Sequence, residues 1–587
     1  MDELEINIET IIARVQKWLQ KPYDKKTQKQ VQFLLKEDPK SLIDSFYTTM
    51  TFGTGGLRGL MGVGTNRLNC YTIRKATQGL SSYIKKYAPP PHSVFISYDS
   101  RENSRLFAEE TARTLAANEI EVYITKELRP TPFVSFGCRL HRCTAAVMIT
   151  ASHNPPNYNG YKVYWSDGGQ IVSPHDLGII DEIKNIEDLP QIKFAPLSHP
   201  SIHHIGKEDD EAYFNAIEPL QNYPEVNQSE GAILQIVYSS LHGTGATLLP
   251  DALKRWGFTS IDYVTEQMPP DGTFPFAASL NPEKKEALEL GIKELVRRKG
   301  DFFIATDPDA DRIALVVSHL NNPIVLSGNQ IASLCIYYLC KTLSTIGKMP
   351  HNGAFITTIV TTELCKEIAA SFNKHCIEVL TGFKYIGEKI KEWEESLNGK
   401  KFIFGAEESF GYLLGTHSRD KDAIVTACLL AEMALQQKKA GKTLIDLLYE
   451  IYNKYGVHQE KQQLIHFDGD HKGKAKINFL MKNIRENPPK TLCGSDIVEL
   501  EDFQLGKKVN CITNEMELID LPKSNVLLFR CKNGSKCIIR PSGTEPLIKI
   551  YAMMKELHAT SIEEGLKSCH EHLDLMLKTL IETYFSE

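Results

Sequence analysis

Short, nearly continuous apolar runs recur along this chain, each closed by a polar, turn-forming cluster, and longer stretches with apolar positions every three or four residues lie between them. Ser93–Tyr98 (SVFISY), Glu121–Ile124 and Ala145–Thr150 (AAVMIT) read as buried strands, and Leu106–Ala117 reads as an amphipathic helix. This strand–helix–strand alternation predicts a parallel sheet covered by helices. The pattern restarts with a strand at Ile233–Tyr238 and a helix at Leu248–Trp256. A long helix at Pro282–Gly300 then feeds the strand Asp301–Thr306. A third round from about Ser327 predicts helices over 329–345 and 362–372, and strands over 354–360, 377–380 and Lys401–Phe404. Helices over about 422–440 and 442–455 close it. The first fifty residues read as a helical, polar-faced arm. Prolines and histidines between Ile186 and Gly206 break the periodicity and place a domain boundary there. After a polar bridge, residues 500–587 form a smaller α+β unit.

The polar clusters that end the β runs carry the candidate chemistry. In Thr150–Tyr164 (TASHNPPNYNGYKVY) the apolar run stops at Ser152 and His153, which puts Ser152 at the exposed tip of a strand, rigidly held yet reachable. A simple turn is the competing reading. Asp307, Asp309 and Asp311 alternate through DPDADR, and a spacing of two throws carboxylates to one side of an extended loop, an oxygen-rich nest for a hard divalent cation. An EF-hand is excluded, because position six of such a loop would be Arg312 and position twelve Ser318. Arg540–Pro546 (RPSGTEP) combines a guanidinium, two hydroxyls and a glycine, donors suited to a phosphate dianion; a plain hairpin turn competes.

Three weaker signals accompany these. Glu407, Glu408 and Ser409 follow a strand, as carboxylates and a hydroxyl that can bind vicinal sugar hydroxyls or form an acidic turn. Lys384 in TGFKY sits in a strand-end loop flanked by aromatics, where partial burial would lower its pKa toward use as a proton carrier. Thr51–Gly64 (TFGTGGLRGLMGVG) carries six glycines around Arg58 without the spacing of a P-loop or a dinucleotide fingerprint. It is either an anion-approach loop or a tight loop with a surface arginine.

Composition narrows the class. A net charge of −6 excludes a nucleic-acid-coating surface. The N-terminus, MDELEINIETIIARVQKW, has acids where a secretory signal needs a basic start, and it reads as an amphipathic helix. No run reaches the ~18 apolar residues of a membrane span; the nearest, Ile331–Cys340, reads as a buried helix. Thirteen cysteines without a CxxC pair support neither zinc nor a disulfide framework, and point to reduced thiols in the cytoplasm. Asn227-Gln-Ser and Asn533-Gly-Ser match the glycosylation pattern by chance.

Taken together, TASHNP, DPDADR, GAEESFG and RPSGTEP, in that order over most of the chain, resemble the loops of the α-D-phosphohexomutases, the phosphoglucomutase/phosphomannomutase superfamily. TFGTGGLRG and FGAEESFGY resemble the branch of longer phosphoglucomutases and phosphopentomutases. Ala406 departs from the glycine common at that place, a change of loop flexibility more than of chemistry. The resemblance implies an α/β chain with a four-domain phosphohexomutase architecture: three similar mixed α/β domains, a smaller C-terminal α+β domain, and an active-site cleft at their centre. Its domains would be 1–205 (phosphoserine loop), 206–325 (metal), 326–455 (sugar) and, after a bridging segment, 456–587 (phosphate).

It implies further that Ser152 carries a phosphoryl group, with one Mg²⁺ held by Asp307, Asp309, Asp311 and a phosphate oxygen on Ser152. Lys384 is the favoured general acid/base, with His153 and Lys162 as further candidates, and Arg58 and Arg312 would stabilise the transferring group. Arg540, Ser542, Gly543 and Thr544 would grip the non-reacting phosphate, and Glu407 and Ser409 the sugar. The implied activity is phosphoglucomutase, an intramolecular phosphotransferase working through glucose 1,6-bisphosphate; phosphopentomutase and phosphomannomutase are alternatives. A serine phosphatase and a catalytically dead scaffold are readings of other classes. The implied partners are sugar phosphates, with no nucleic acid and no membrane, in a monomer or weak dimer. Turning the intermediate over requires the last domain to release and regrip, which places a hinge near 456–500.

Overall fold

The structure, a computed structural model, describes residues 8–53, 55–187, 189, 192–467, 471–542 and 546–585. The chain divides into two compact units, one of Met1–Ser327, Phe383–Gly405 and Ser409–Thr443, the other of Gly328–Gly382, Ala406–Glu408 and Leu444–Glu587.

The first unit contains two mixed sheets. One has six strands in the order Gly56–Leu60, Tyr158–Trp165, Ala145–Ile149, Ser93–Tyr98, Glu121–Thr125, Ile202–Ile205. Its four central and edge strands from Ala145–Ile149 to Ile202–Ile205 are parallel, as the alternation predicts, and the two at the other end are antiparallel. Two departures from the sequence reading have a common cause. Gly56–Leu60 of the glycine-rich stretch is a strand, not a loop, with Arg58 opposite Gly160. The stretch around SIHHI supplies the other edge strand, with Val122 opposite Ile202. Edge strands bury little surface, so neither shows the continuous apolar run that marks a central strand.

The second sheet runs Asn322–Val325, Ile313–His319, Phe302–Thr306, Ile236–Ser239, Ile261–Tyr263, parallel at one end and antiparallel at the other. In both sheets a fully buried strand, Ala145–Ile149 or Phe302–Thr306, ends in a candidate loop. Three N-terminal helices, Ile8–Trp18, Lys25–Glu37 and Pro39–Phe46, pack around their own core of Trp18, Val31 and Phe46, as the helical arm predicts.

In the second unit, Gly353–Thr358 and His375–Val379 pair in parallel beside the helix Gly328–Thr345. Ile331–Cys340 lies within that helix and is buried along its whole length, which accounts for its apolar character. Among the described residues no helix is long and apolar enough to cross a membrane. The remainder is a strongly antiparallel sheet built on Val457–His466, Leu547–Glu556, Lys536–Pro541 and Leu527–Cys531, backed by the helices His471–Glu486 and Ile562–Tyr584. The polar bridge is therefore regular structure: Val457–His466 pairs along all ten residues with Leu547–Glu556. Only Gly456, in the left-handed region at φ 91°, separates the helix Leu444–Tyr455 from that strand.

Candidate active site

Ser152 follows the strand Ala145–Ile149 in a turn with φ 51°, a left-handed conformation costing a non-glycine residue about 1–2 kcal/mol. It is held there by its neighbours. The Ser152 amide donates to Thr150 Oγ1 at 2.8 Å, and Thr150 Oγ1 donates to Asp99 Oδ2 at 2.6 Å. The expectation of an exposed tip is corrected: Ser152 is 3% exposed, because the aspartate turn lies against it. Its Oγ donates to Asp307 Oδ2 at 2.8 Å and lies 3.1 Å from His153 Nδ1.

The three aspartates converge, but not by alternation along an extended chain. Residues 308–311 turn back, with Ala310 left-handed at φ 48°, and Asp307 Oδ1 accepts the amides of Asp311 and Arg312. One oxygen from each of Asp307, Asp309 and Asp311 falls within 4.8 Å of the others, all buried. Burial and the carboxylates of Asp309 and Asp311 push Asp307 well above the usual carboxylate range. Burial would do the same to Asp311, but Lys162, Lys421 and Arg312 outweigh it and hold that group ionised.

Lys162, on the strand antiparallel to Ala145–Ile149, reaches Asp309 Oδ2 at 2.7 Å and Asp311 Oδ2 at 3.1 Å. Lys421 lies 3.2 Å from Asp311 Oδ2, and Thr131 Oγ1 donates to Asp309 Oδ2 at 2.7 Å. Arg58 is bonded to Asn154 Oδ1 at 3.0 Å, with the three aspartates among its nearest charges. Arg312 donates to Glu283 Oε1 at 2.7 Å and lies 3.9 Å from Asp311 Oδ1.

Asp309 Oδ1 and Asp311 Oδ1 are buried without a hydrogen-bond partner among the described residues. Orphaned carboxylate oxygens are costly unless a cation faces them. An all-oxygen donor set of three acids beside a serine therefore fits a hard divalent ion.

Lys384 is placed differently from the sequence expectation. It stands in the first turn of the helix Phe383–Glu395, not in a strand-end loop, and its carboxylate neighbours are Asp176 and Glu388. Burial lowers its pKa below the ordinary lysine value. Ser409, also in the first unit, lies in the turn before the strand Gly411–Leu414.

The second unit holds the remaining candidates. Glu407 Oε1 accepts the Gly382 amide at 2.9 Å, and Glu408 Oε2 accepts Thr358 Oγ1 at 3.4 Å. Both carboxylates act on Arg540, whose Nε and Nη2 lie 3.3 and 3.2 Å from the Tyr551 hydroxyl. The Ser542 amide donates to Leu547 O at 2.8 Å, while Gly543 and Thr544 lie outside the described residues.

Two contributors were not singled out from sequence. Lys421 sits in the charged run RDKD ahead of the buried helix Ala423–Lys439, where its charge reads as a helix boundary. Arg101 follows Ser93–Tyr98 in an Asp-x-Arg cluster, a strand end of the same kind as the others.

Residues 49–190, 211–320 and 327–455 match domains I, II and III of the phosphoglucomutase/phosphomannomutase alpha/beta/alpha family. A phosphoglucomutase of Staphylococcus epidermidis is 36% identical over 523 residues, covering 88% of this chain and 93% of that protein. Among solved structures, a phosphoglucomutase/phosphomannomutase family protein from Burkholderia thailandensis superposes with a TM-score of 0.65 at 17% identity, over 90% of this chain and 97% of that one. The exocytosis-sensitive phosphoprotein parafusin (phosphoglucomutase) from Paramecium, in an open form, gives 0.64 at 16% identity, over 92% of this chain and 97% of that one. Both likenesses show the same fold.

Proposed function

Because the chain belongs to the phosphoglucomutase/phosphomannomutase family, we propose that it is a phosphoglucomutase, interconverting α-D-glucose 1-phosphate and glucose 6-phosphate through phospho-Ser152 and glucose 1,6-bisphosphate. The observation that carries this reading is the placement of Ser152 Oγ 2.8 Å from one member of a buried three-aspartate cluster with two unpartnered oxygens. A serine in a plain turn has no need of such a partner.

Asp307, Asp309 and Asp311 would hold a divalent cation, Mg²⁺ in our reading, together with an oxygen of the serine phosphate. When bound, that ion neutralises charge on the transferring group. The chain's own residues do the rest. Ser152 Oγ gives up the phosphoryl group to a sugar hydroxyl, so the Oγ–P bond breaks as the bond from phosphorus to the sugar oxygen forms. The hydroxyl proton passes to a base, for which Lys384, with its lowered pKa, remains our candidate. Lys162, bonded to Asp309 and Asp311, offsets part of the negative charge there and adds positive potential at the transferring group. His153, beside Ser152 Oγ, orients it. Arg58 and Arg312 supply further positive charge to the departing oxygens. Glu407 and Ser409 would bind ring hydroxyls, and Arg540 with Ser542, Gly543 and Thr544 the distal phosphate.

Thirteen free thiols suit a reducing compartment, and we place the protein in the cytoplasm as a monomer or weak dimer acting on sugar phosphates. The test is kinetic. With glucose 1,6-bisphosphate as activator, kcat/KM for glucose 1-phosphate should exceed those for ribose 1-phosphate and mannose 1-phosphate; a higher value for the pentose overturns the assignment. Release of inorganic phosphate independent of the bisphosphate would point instead to a phosphatase.

A further inference from the structure

The loop that carries Ser152 is organised around a side chain that bonds its main chain and none of the candidate reacting atoms. Arg101 lies just beyond the strand Ser93–Tyr98, and its side chain is fully buried. One terminal nitrogen, Nη2, donates to Ser152 O at 2.6 Å and Asn154 O at 2.5 Å. The other, Nη1, donates to Pro155 O at 2.7 Å and Tyr158 O at 3.0 Å. One planar group thus gathers four main-chain carbonyls of residues 152–158, between Ala151 and the start of the next strand.

The guanidinium is itself fixed. Its Nε lies 3.3 Å from Asp99 Oδ2, and its face lies over the Phe274 ring, 5.3 Å from the centroid. Asp99 in turn accepts from the Arg101 amide, Ser104 Oγ and Thr150 Oγ1, and its own amide is bonded to Ile149 O. Thr150 Oγ1 receives the Ser152 amide, so Asp99, through Thr150, and Arg101 hold the amide and the carbonyl of Ser152.

We propose that Arg101, locked by Asp99, is a positioning residue for the phosphoryl carrier: it sets the left-handed turn that keeps Ser152 Oγ on the aspartate triad. This rests on the reading of Ser152 as the carrier. The rigid fork of an arginine can serve four acceptors in one plane. A lysine ammonium has three donors on a flexible stem and cannot reproduce that geometry, although it keeps the charge. A merely structural buried arginine would matter for folding alone.

The full chain is purified as wild type, Arg101→Lys and Arg101→Ala. Each is followed by thermal melting, by steady-state kinetics with glucose 1-phosphate, and by the rate at which glucose 1,6-bisphosphate phosphorylates Ser152, read from intact mass. Displacement of the carrier by about 1 Å predicts a loss near 100-fold in kcat and in the phosphorylation rate of Arg101→Lys. Its KM should stay within about three-fold, and its pH profile should be that of wild type. Millimolar guanidinium, but not equal sodium chloride, should restore Arg101→Ala by about ten-fold or more. A kcat of Arg101→Lys within about three-fold of wild type overturns the proposal, as does a loss confined to KM. Unfolding of both variants overturns it too, since Arg101 would then be a folding residue. If Arg101→Ala alone unfolds, the kinetics of Arg101→Lys decide. Failure of the proposed function reads differently, as a wild-type chain without glucose phosphate interconversion.

Discussion

At the scale of single residues, the candidate site separates what residue type announces from what neighbours decide. Three aspartates at a spacing of two announce a cation site, and the structure brings them together. The device is a turn with one left-handed alanine, which alternation in the sequence does not reveal. Ser152→Ala removes the only atom that could carry the phosphoryl group in our mechanism, so transfer should fall by at least about 10³-fold with little change in melting temperature. Retained mutase activity would sink the phosphoserine route. Asp309 loses an orphaned oxygen in Asp309→Asn, so this variant should need a much higher Mg²⁺ concentration for half-maximal activity, checked by titration after chelator treatment. An unchanged titration would place the cation elsewhere. Arg101 and Lys421 were the residues hardest to find. Arginine bonded to carbonyls leaves no mark in the partners' side chains, because any residue supplies a carbonyl.

Elements were legible in proportion to how fully they are buried. Ser93–Tyr98, Ala145–Ile149 and Phe302–Thr306 have apolar runs because both faces are covered. The edge strand Gly56–Leu60 does not, and its glycines are there for approach. A Cβ on Gly56, at φ 135°, would lie 1.9 Å from Tyr161 O. Gly56→Ala should therefore destabilise by roughly 1–3 kcal/mol, seen as a lowered urea midpoint; an unchanged midpoint would show that the edge strand can shift away. The helix Lys25–Glu37 is capped by Asp24, which accepts from the Thr27 amide and hydroxyl and from the Tyr71 hydroxyl. Partial burial opposes ionisation there, but the bonds from Tyr71 and Thr27 outweigh it and bring the Asp24 carboxyl down to about 2. A folded pKa below the unfolded 3.8 means that the cap's contribution is full above that value and is lost as the pH falls through about 2. Asp24→Ala should cost about 1 kcal/mol near neutrality, and the part of that cost that comes from the ionised carboxylate should vanish below about pH 2.

For the molecule as a whole, the second unit contains an ionic joint that the sequence reading did not anticipate. Glu363, at the start of the helix Leu364–Ser371, meets Lys536 at 2.8 Å, Arg530 at 3.0 Å and Lys366 at 2.6 Å. Burial would raise its pKa, but Lys536, Lys366 and Arg530 outweigh it and keep Glu363 ionised. Lys536 and Arg530 stand on strands of the antiparallel sheet, so the cluster ties that sheet to the helix. Breaking one partner of a half-buried cluster loosens the joint, and Glu363→Gln should speed amide exchange in Leu364–Ser371 and Lys536–Pro541 by about ten-fold or more. Exchange at the wild-type rate would show that apolar packing alone holds the sheet. The hinge we propose for regripping the bisphosphate narrows from a broad bridge to the neighbourhood of Gly456, since the strand after it is paired along its length. Identical compactness by solution scattering with and without sugar phosphate would count against that motion.

Local sequence pattern alone was enough for the alternation of strands and helices, the buried strands, and the residue types at their ends: a serine, three aspartates, a glycine-rich stretch and an arginine followed by hydroxyls and a glycine. Those follow from local rules, since burial on two faces demands continuous apolar runs and reactive groups collect where such runs stop. Long-range packing settles that Ser152 is buried against Asp307, 155 positions away in the chain, that Lys162 and Lys421 lie against the aspartates, and that Arg101 gathers the loop of Ser152. Each of these is a contact between distant segments. It depends on how two sheets come to share one end, and periodicity within either segment carries no trace of it.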